Sequence, residues 1–282
     1  AVRWPRTVGG APEAFARALA GRTVARLSRR AKYIVAELDS GCRLLIHLRM
    51  TGKLRFAQPG ERPGAHDHVV IDLSDGRRLI FNDTRKFGRL RLVPYGAADP
   101  LAALGPEPLD PSFAFETLRA RLRGRQRLLK PLLLDQTVIA GLGNIYVDEA
   151  LWHARLHPRR CADTLTPAEV RRLHAAIRAV LQRAVDNGGT SLGDGEANFY
   201  SVAGRRGRHA DELSVFRRDG EPCPRCGAAL ARLVVGQRGT HICPACQPIA
   251  PRTARTAKPP EGAGSCRPSR STPTRRSPRR PA

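Results

Sequence analysis

Four cysteines near the C-terminal end constrain the fold of this chain more than any other feature. They form two Cys-x-x-Cys pairs, Cys223/Cys226 and Cys243/Cys246, separated by sixteen residues. Four thiolates at this spacing predict one tetrahedral Zn²⁺ ion, and because protein ligands fill all four positions the ion would be structural. It would hold a β-hairpin rigid in a segment with few apolar residues. Four unrelated thiols are the alternative.

The remaining cysteines, Cys42, Cys161 and Cys266, are scattered, and the odd total of seven does not suggest a disulfide framework. A thiolate metal site instead places the chain in a reducing compartment. We therefore expect a cytoplasmic protein. No apolar run approaches the length of a membrane span, and the first residues lack the apolar core of a signal peptide, so no membrane partner is expected.

The chain is strongly basic, with a formal net charge of +24 over 282 residues, and all but five of its 49 basic side chains are arginines. The segment 248–282 holds nine of them, so a large excess also lies on the rest of the chain. Such an excess favours a polyanionic partner, most often nucleic acid. An arginine-rich composition without any such partner is the alternative.

Hydrophobic patterning divides the chain into three parts and a tail. Short apolar runs separated by turn signals between Thr23 and about Val93 predict a β-sandwich or barrel, preceded by one short helix over 12–20. Helical patterns follow over 113–123 and 144–156, and from Thr166, where a capping box with Glu169 predicts the start of a long helix. The polar, glycine-rich segment 190–214 is expected to be a mobile loop, and the Pro/Arg/Ser/Thr-rich tail to be disordered.

Two short motifs carry groups that suit phosphate. Gly141-Leu-Gly-Asn144 lacks the third glycine of a dinucleotide fingerprint, but it opens a helix at Asn144, where exposed amides and the Asn side chain suit a phosphate oxygen. Arg238 lies between the two cysteine pairs, at the expected tip of the metal-held hairpin. It is a candidate phosphate contact, and a solvated turn arginine is the alternative.

Seven ordered motifs together resemble the formamidopyrimidine-DNA glycosylase family, the bacterial 8-oxoguanine glycosylase/AP lyases, whose sister group is endonuclease VIII. The resemblance covers about 3–247 and rests on the segments 29–33, 47–52, 83–88, 104–109, 130–135 and 143–146 and on the cysteine segment that ends at Gln247. It implies an α+β multidomain protein: an N-terminal β-sandwich over 1–105, a helix–two-turns–helix domain over 106–212, a Cys₄ zinc finger over 213–247 and a disordered basic tail over 248–282.

The resemblance also implies a function. Family members flip an oxidised purine out of duplex DNA, because its sugar carbon is otherwise out of reach. An N-terminal proline amine attacks C1′, expels the base and forms a Schiff base, and β- and δ-elimination then cut the strand on both sides of the lesion. The implied partner is damaged double-stranded DNA, bound by a monomer, and the implied cofactor is one structural Zn²⁺ ion.

The family's site residues carry over position by position. Lys32 matches the lysine that assists β-elimination, and Arg238 matches the arginine assigned to δ-elimination. The implied DNA contacts, which include the phosphate grip formed with Lys32 and Arg238, are His47, His66, Arg85, Arg125, Lys130 and Asn144; Lys130 matches a lysine that lines the catalytic pocket. The side chains implied to fill the space left by the flipped base are Met50, Arg85 and Phe87.

Each role has a plain alternative in the sequence. Met50 and Phe87 could be ordinary core residues, and His47 could be a hydrogen-bonded structural histidine on its strand. Arg29, Arg30, Arg85 and Lys86 could form a solvated basic face.

Two departures from the family pattern stand out. The usual Pro-Glu-Leu-Pro-Glu-Val-Glu start is absent, and Ala1 begins a segment that resembles one some thirty residues into other members. We therefore expect the encoded protein to be a bifunctional enzyme, and the 282-residue chain to bind DNA weakly and to lack efficient Schiff-base chemistry. In addition, Arg49 stands where many relatives have glycine, next to Met50.

Three other functions compete with repair of oxidised purines. One is a non-catalytic relative that binds damaged DNA, and another is an endonuclease VIII-like glycosylase directed at pyrimidines. The third is a zinc-ribbon adaptor for RNA or protein, which would leave Lys32, Arg85 and Asn144 unexplained.

Overall fold

The computed structural model describes residues 1–192 and 200–249. A β-rich lobe comes first, with helix α1 (Pro12–Leu19) and seven strands: β1 (Val24–Arg30), β2 (Tyr33–Leu38), β3 (Arg43–His47), β4 (Gly52–Phe56), β5 (Asp67–Asp72), β6 (Arg78–Asp83) and β7 (Arg89–Val93). A helical lobe follows, with α2 (Phe115–Leu122), α3 (Leu129–Leu134), α4 (Asn144–His153) and α5 (Pro167–Asp186). The last hairpin pairs β8 (Ala231–Val235) with β9 (Arg238–Ile242).

The seven strands form the expected β-sandwich. One sheet has the order β1-β2-β3-β7 and the other β4-β6-β5, and all pairs are antiparallel. Apolar side chains that alternate along the strands point between the sheets, and they form a core that includes Leu44, Ile46, Leu54, Phe81 and Leu90. The short helix α1, which the sequence predicted over 12–20, adds Phe15 to this core.

The helical lobe is built on the long helix α5. Its capping box forms as predicted: the Thr166 side chain accepts a hydrogen bond from the Glu169 amide, and the Glu169 carboxylate accepts one from the Thr166 amide, 2.8 Å away. Each cap of this kind contributes about 1 kcal/mol to helix stability. The apolar face of α5 packs on α2 and α4 around a core that includes Leu118, Val147 and Ile177.

The C-terminal hairpin packs on helix α4. Trp152 of α4 is buried against Val215 and Leu230, and the buried carboxylate of Glu149 accepts hydrogen bonds from the three successive backbone amides of 214–216, at 2.8–2.9 Å. A buried carboxylate is stable only with such donors. The segment that leads into the hairpin is therefore fixed to the helical lobe by main-chain hydrogen bonds and by core packing.

Two sequence predictions fall partly outside the described residues. Of the expected mobile loop over 190–214, residues 193–199 are not described; the remainder contains the 3₁₀ turn His209–Glu212 and a bridge between Thr190 and Arg208. Of the expected disordered tail, only Pro248 and Ile249 are described. Among the described helices, none combines the length and apolar character needed to cross a membrane.

Candidate nucleic-acid interface

The tight turn between β1 and β2 presents Lys32. The turn consists of Ala31 and Lys32, between the paired residues Arg30 and Tyr33, and Ala31 has a φ of 53°. This left-handed conformation is unusual for a residue with a Cβ. The Ala31 amide donates to Glu107 Oε1, 2.5 Å away, so the segment that leads into the helical lobe holds the turn.

The side chain of Lys32 extends from the β-rich lobe and contacts the helical lobe. Its Nζ donates to the carbonyl oxygen of Leu142, 2.9 Å away, in the glycine turn that precedes α4. Partial burial, then the charges of Arg238 and Arg49, lower the pKa of Lys32. The three cationic side chains are therefore close enough to repel one another, which an anion placed between them would relieve.

The zinc-finger hairpin presents Arg238 beyond a two-residue turn. Gly236 and Gln237 have φ values of 56° and 61°, the signature of a type I′ turn between Val235 and Arg238. A Cβ on Gly236 would lie 2.6 Å from Cγ of Pro131, so the turn packs closely on α3. Arg238 itself is exposed at the start of β9.

Asn144 and Lys130 meet the hairpin at one atom, the carbonyl oxygen of Gly239. Asn144 Nδ2 donates to it at 3.0 Å and Lys130 Nζ at 2.9 Å. Lys130 Nζ also donates to Asp148 Oδ1, 2.6 Å away, and to Thr240 Oγ1, 2.8 Å away. Hydrogen bonds from α3 and α4 therefore fix the position of Gly239, the residue that follows Arg238.

Lys130, which the sequence analysis predicted to contact DNA, lies inside the protein. Its side chain is completely buried, and its three ammonium hydrogens all have protein acceptors. A phosphate could reach it only if these bonds broke. The sequence could not reveal this, because the acceptors come from α4 and from the zinc-finger hairpin, far along the chain.

His47 lies at the end of β3 beside this cluster. Burial, then the charges of Arg49 and Lys32, lower its pKa to about 4, so the imidazole is neutral at physiological pH. Its Nδ1 accepts a hydrogen bond from the Arg49 amide at 3.0 Å, which assigns the ring proton to Nε2. The ring also makes an edge contact with Tyr33, at a centroid distance of 4.6 Å. His47 therefore has the structural role considered above, and its Nε2 has no hydrogen-bond acceptor within residues 1–192 and 200–249.

Met50 and Phe87 are not core residues. Met50 is 62% exposed and Phe87 49% exposed, on two neighbouring loops. The Arg85 guanidinium lies 5.0 Å from the centre of the Phe87 ring. The alternative that both side chains belong to the core is wrong.

Two other predicted DNA contacts lie apart from Lys32. His66 is exposed just before β5, and Arg125 is exposed between α2 and α3. In the part of the chain that the structure describes, no hydrogen bond or ion pair joins either residue to Lys32, Asn144 or Arg238. Ala1 also lies elsewhere: its amine donates to the carbonyl oxygen of Val70 on β5, 2.6 Å away.

The four cysteines converge as a metal site requires. Their Sγ atoms all lie within 4.8 Å of one another, and the closest pairs, Cys226 with Cys243 and with Cys246, are 3.5 Å apart. A zinc ion with Zn–S bonds of about 2.3 Å spaces its ligands by about 3.8 Å. The donor set and spacing therefore fit one structural Zn²⁺ ion.

Sequence reasoning missed the residues that position this site. Glu107 holds the Lys32 turn, Asp148 holds Lys130, and Asp83 joins the two exposed loops. All three belong to or adjoin segments that the sequence analysis singled out, but their roles depend on contacts between distant segments. The only signal available in the sequence was a carboxylate inside or next to one of these motifs.

Family models match most of the chain. A model described as the formamidopyrimidine-DNA glycosylase N-terminal domain matches residues 1–90, and one described as the formamidopyrimidine-DNA glycosylase H2TH domain matches residues 104–195. A third, described as a zinc finger found in FPG and IleRS, matches residues 220–249.

Individual proteins are similar over nearly the same range. A formamidopyrimidine-DNA glycosylase of Roseiflexus sp. is 50% identical over 246 residues, covering 86% of this chain and 89% of that protein. One of Chloroflexus aurantiacus is 47% identical, with 86% and 87% covered. Two solved Lactococcus lactis Fpg structures cover 88% of this chain and 91% of theirs: a complex with abasic-site DNA (38% identical, TM-score 0.80) and one with Fapy-dG DNA (37%, 0.79).

Proposed function

The chain belongs to the formamidopyrimidine-DNA glycosylase family of base-excision-repair DNA glycosylases, and from this premise we propose that it removes oxidised purines, 8-oxoguanine and formamidopyrimidines, from duplex DNA. We further propose that it acts as an AP lyase through a Schiff base and β,δ-elimination. The observation that carries the proposal for this chain is the convergence of Lys32, Asn144 and Arg238, from three separate segments, on one small region between the lobes.

In this proposal the convergent groups hold the phosphates around the flipped nucleotide. Arg238 and Lys32 contribute positive charge, and Asn144 contributes the amide hydrogen that Gly239 does not use. His47 contributes a neutral Nε2 donor, which binds a phosphate oxygen without adding charge to a crowded cationic site. Hydrogen bonds between charged donors and phosphate are stronger than neutral ones, so this grip would supply much of the specific affinity.

Lys32 and Arg238 are also proposed to assist catalysis. Because its surroundings lower the pKa of Lys32, a larger fraction of this amine is neutral than for a solvated lysine, which suits a base in β-elimination. Arg238 stays cationic and suits stabilisation of the phosphate that leaves in δ-elimination. The Schiff base itself needs a reactive N-terminal amine, the role that the family gives to its proline.

Met50, Arg85 and Phe87 are proposed to fill the space left by the flipped nucleotide. Their exposure and the stacking of Arg85 near Phe87 support this role, because apolar and planar side chains replace stacking lost on extrusion of a base. His66 and Arg125 are proposed as outer phosphate contacts. Lys130 is proposed to act indirectly, by fixing the hairpin that carries Arg238.

The proposed domain boundaries are those expected from the sequence: a β-sandwich over 1–105, a helix–two-turns–helix domain over 106–212, a zinc finger over 213–247 and a basic tail over 248–282. The proposed partner is damaged double-stranded DNA, bound by one copy of the chain. The proposed location is the cytoplasm, on the nucleoid.

Binding to a duplex with a tetrahydrofuran abasic-site analogue tests the phosphate grip. We expect tighter binding than to the undamaged duplex, and a loss of about ten-fold or more in K32A, N144A and R238A, since each removes a hydrogen bond to a charged phosphate worth about 1.5–3 kcal/mol. Arg26→Ala, an exposed cation on the same hairpin as Lys32, is the matched control. Equal affinity for single-stranded RNA would instead support the adaptor.

Borohydride trapping tests the chemistry. The encoded protein is incubated with an 8-oxoguanine duplex and borohydride, and we expect it to form a covalent adduct. Damage-specific binding without an adduct would identify a non-catalytic relative. Faster trapping on a dihydrouracil duplex would identify a pyrimidine-directed enzyme.

A further inference from the structure

The carboxylate of Asp83, at the end of β6, is completely buried and lies between the two exposed loops. Its Oδ1 accepts hydrogen bonds from the Thr51 hydroxyl and from the Arg85 amide, the latter at 3.2 Å. Its Oδ2 accepts one from the Gly88 amide at 2.6 Å. Three donors thus converge on one carboxylate.

These donors belong to the two loops that carry the exposed side chains. Thr51 directly follows Met50, while the amides of Arg85 and Gly88 lie on either side of Phe87. The Arg85 amide is also 3.2 Å from Thr51 Oγ1, so it is shared between the hydroxyl and the carboxylate. The backbone on both sides of Phe87 is therefore bonded to the group that holds the loop of Met50.

The surroundings leave Asp83 little freedom to move. Its carbonyl oxygen accepts a hydrogen bond from Nε2 of the buried His68 at 2.7 Å. A Cβ on Gly88 would lie 2.4 Å from Cζ of Phe81, so only glycine lets the second loop approach the carboxylate this closely. Lys86 in this loop has a left-handed φ of 60°, and its amide also donates to the Asp83 carbonyl oxygen.

We propose that Asp83 is a positioning residue that couples the Met50 loop to the Arg85–Phe87 loop, so that the three side chains enter the DNA stack as one rigid unit. This inference rests on the proposed function for the wedge role of those side chains. A carboxylate is required because it offers only acceptors; an amide in its place would turn an N–H₂ group towards one set of donors.

Two variants separate the coupling from overall stability. Asp83→Asn keeps the shape and removes the second acceptor, while Thr51→Val removes one donor and keeps the volume. The control is Asp72→Asn, an exposed carboxylate at the end of β5 whose ion pair with Arg78 leaves both loops untouched.

Hydrogen exchange tests the coupling without DNA. We expect the amides of Arg85 and Gly88 to exchange at least ten-fold faster in D83N than in the wild type, with a smaller increase in T51V and none in D72N. Unchanged exchange in D83N would overturn the inference. If D83N does not fold, T51V takes its place, both in hydrogen exchange and in the fluorescence experiment that follows. Unchanged exchange in T51V would then overturn the inference.

Fluorescence of 2-aminopurine next to a tetrahydrofuran site tests the consequence in DNA. Insertion of a wedge unstacks the probe and raises its emission, and we expect D83N to bind the duplex within a few-fold of the wild type but to lose at least half of this rise. A full rise in D83N despite faster exchange would overturn the coupling while leaving the proposed function intact. A wild-type protein that binds without any rise would contradict the wedge itself, and with it this inference.

Discussion

Arg49 occupies a backbone position that suits glycine. Its φ is 56°, in the β3–β4 turn that the Gly52 amide closes by donating to the Leu48 carbonyl oxygen at 2.9 Å. A glycine at this position would adopt the same conformation without a steric penalty. The arginine adds a charge that lowers the pKa of both Lys32 and His47.

Replacing Arg49 with glycine separates these two effects. We expect Arg49→Gly to raise the free energy of unfolding by up to about 1 kcal/mol, because the left-handed conformation costs a residue with a Cβ about that much. We also expect the pKa of Lys32 to rise. Competitive labelling of lysines with peptide mapping measures that pKa, and the scarcity of lysines makes each one resolvable.

Arg155→Gly is the matched control for this substitution. Arg155 also has a φ of 56° and is exposed, but it follows α4. It should give a similar gain in stability without any change at Lys32. A Lys32 pKa that stays constant in Arg49→Gly would contradict the electrostatic part of the argument.

Two histidines make stability depend on pH. Burial and then neighbouring arginines, joined at His47 by Lys32, lower the pKa of His47 and His153 to about 4 from the ordinary 6.5. Their contribution to stability is complete above pH 6.5 and is lost as the pH falls towards 4, because only the unfolded chain takes up the protons in that range.

Urea unfolding at pH 7, 5.5 and 4 measures this loss. As the pH falls, the free energy of unfolding should decline less steeply in H47Q and H153Q than in the wild type. It should decline as in the wild type in H66Q, which alters an exposed imidazole. Parallel pH profiles for all four proteins would show that other groups control acid stability.

At the scale of elements, the sequence predicted what depends on neighbours along the chain. The capping box of α5, the β2–β3 and β5–β6 hairpins and the short α1 all follow from residues a few positions apart. The family motifs then predicted which of these elements carry the site. The cysteine spacing did the same for the zinc-finger hairpin.

The sequence could not predict contacts between distant segments. Lys130 is an example, because a lysine among leucines gives no sign that Asp148 and Thr240 will bury it. Asp83 is another, since one of its three donors, Thr51, lies on a loop that only the pairing of β4 with β6 brings close to it. These carboxylates determine the pose of the site residues rather than the identity of the fold.

Removing zinc should uncouple Arg238 from the helical lobe. We expect chelation, or Cys243→Ser, to make 220–249 sensitive to protease and to lower affinity for abasic-site DNA at least ten-fold, because a metal-held hairpin loses its fold with its metal. The helical signal of α5 in circular dichroism should persist.

Cys42→Ser is the control, because this half-buried thiol lies outside the cysteine cluster. Zinc content measured before and after chelation should show one ion lost per chain. Unchanged DNA affinity after loss of the metal would contradict a role for the hairpin in binding.

At the scale of the whole molecule, charge extends beyond the described residues. The tail 250–282 holds nine of the 49 basic side chains and a single acidic one. Basic segments bind phosphates without regard to sequence, and each phosphate neutralised adds about 0.9 to the slope of log affinity against log salt concentration.

Deleting the tail should therefore weaken binding to damaged and undamaged duplexes by the same factor and reduce the salt dependence for both. Titrations at several salt concentrations, with the chain ending at Ile249 and at full length, measure both quantities. A changed ratio between the two duplexes would mean that the tail also takes part in lesion choice.

The bonds at Gly239 bear on how this architecture can be modified. Because Asn144 and Lys130 share one carbonyl oxygen of the hairpin, and Asp148 holds Lys130 while accepting the His241 amide at 3.0 Å, the finger is not an interchangeable module. Replacing the finger with a foreign zinc ribbon of equal metal affinity would remove two of the three acceptors of the buried Lys130 ammonium, Gly239 O and Thr240 Oγ1. A zinc finger of this kind that is moved into another protein must therefore be moved together with α3 and α4.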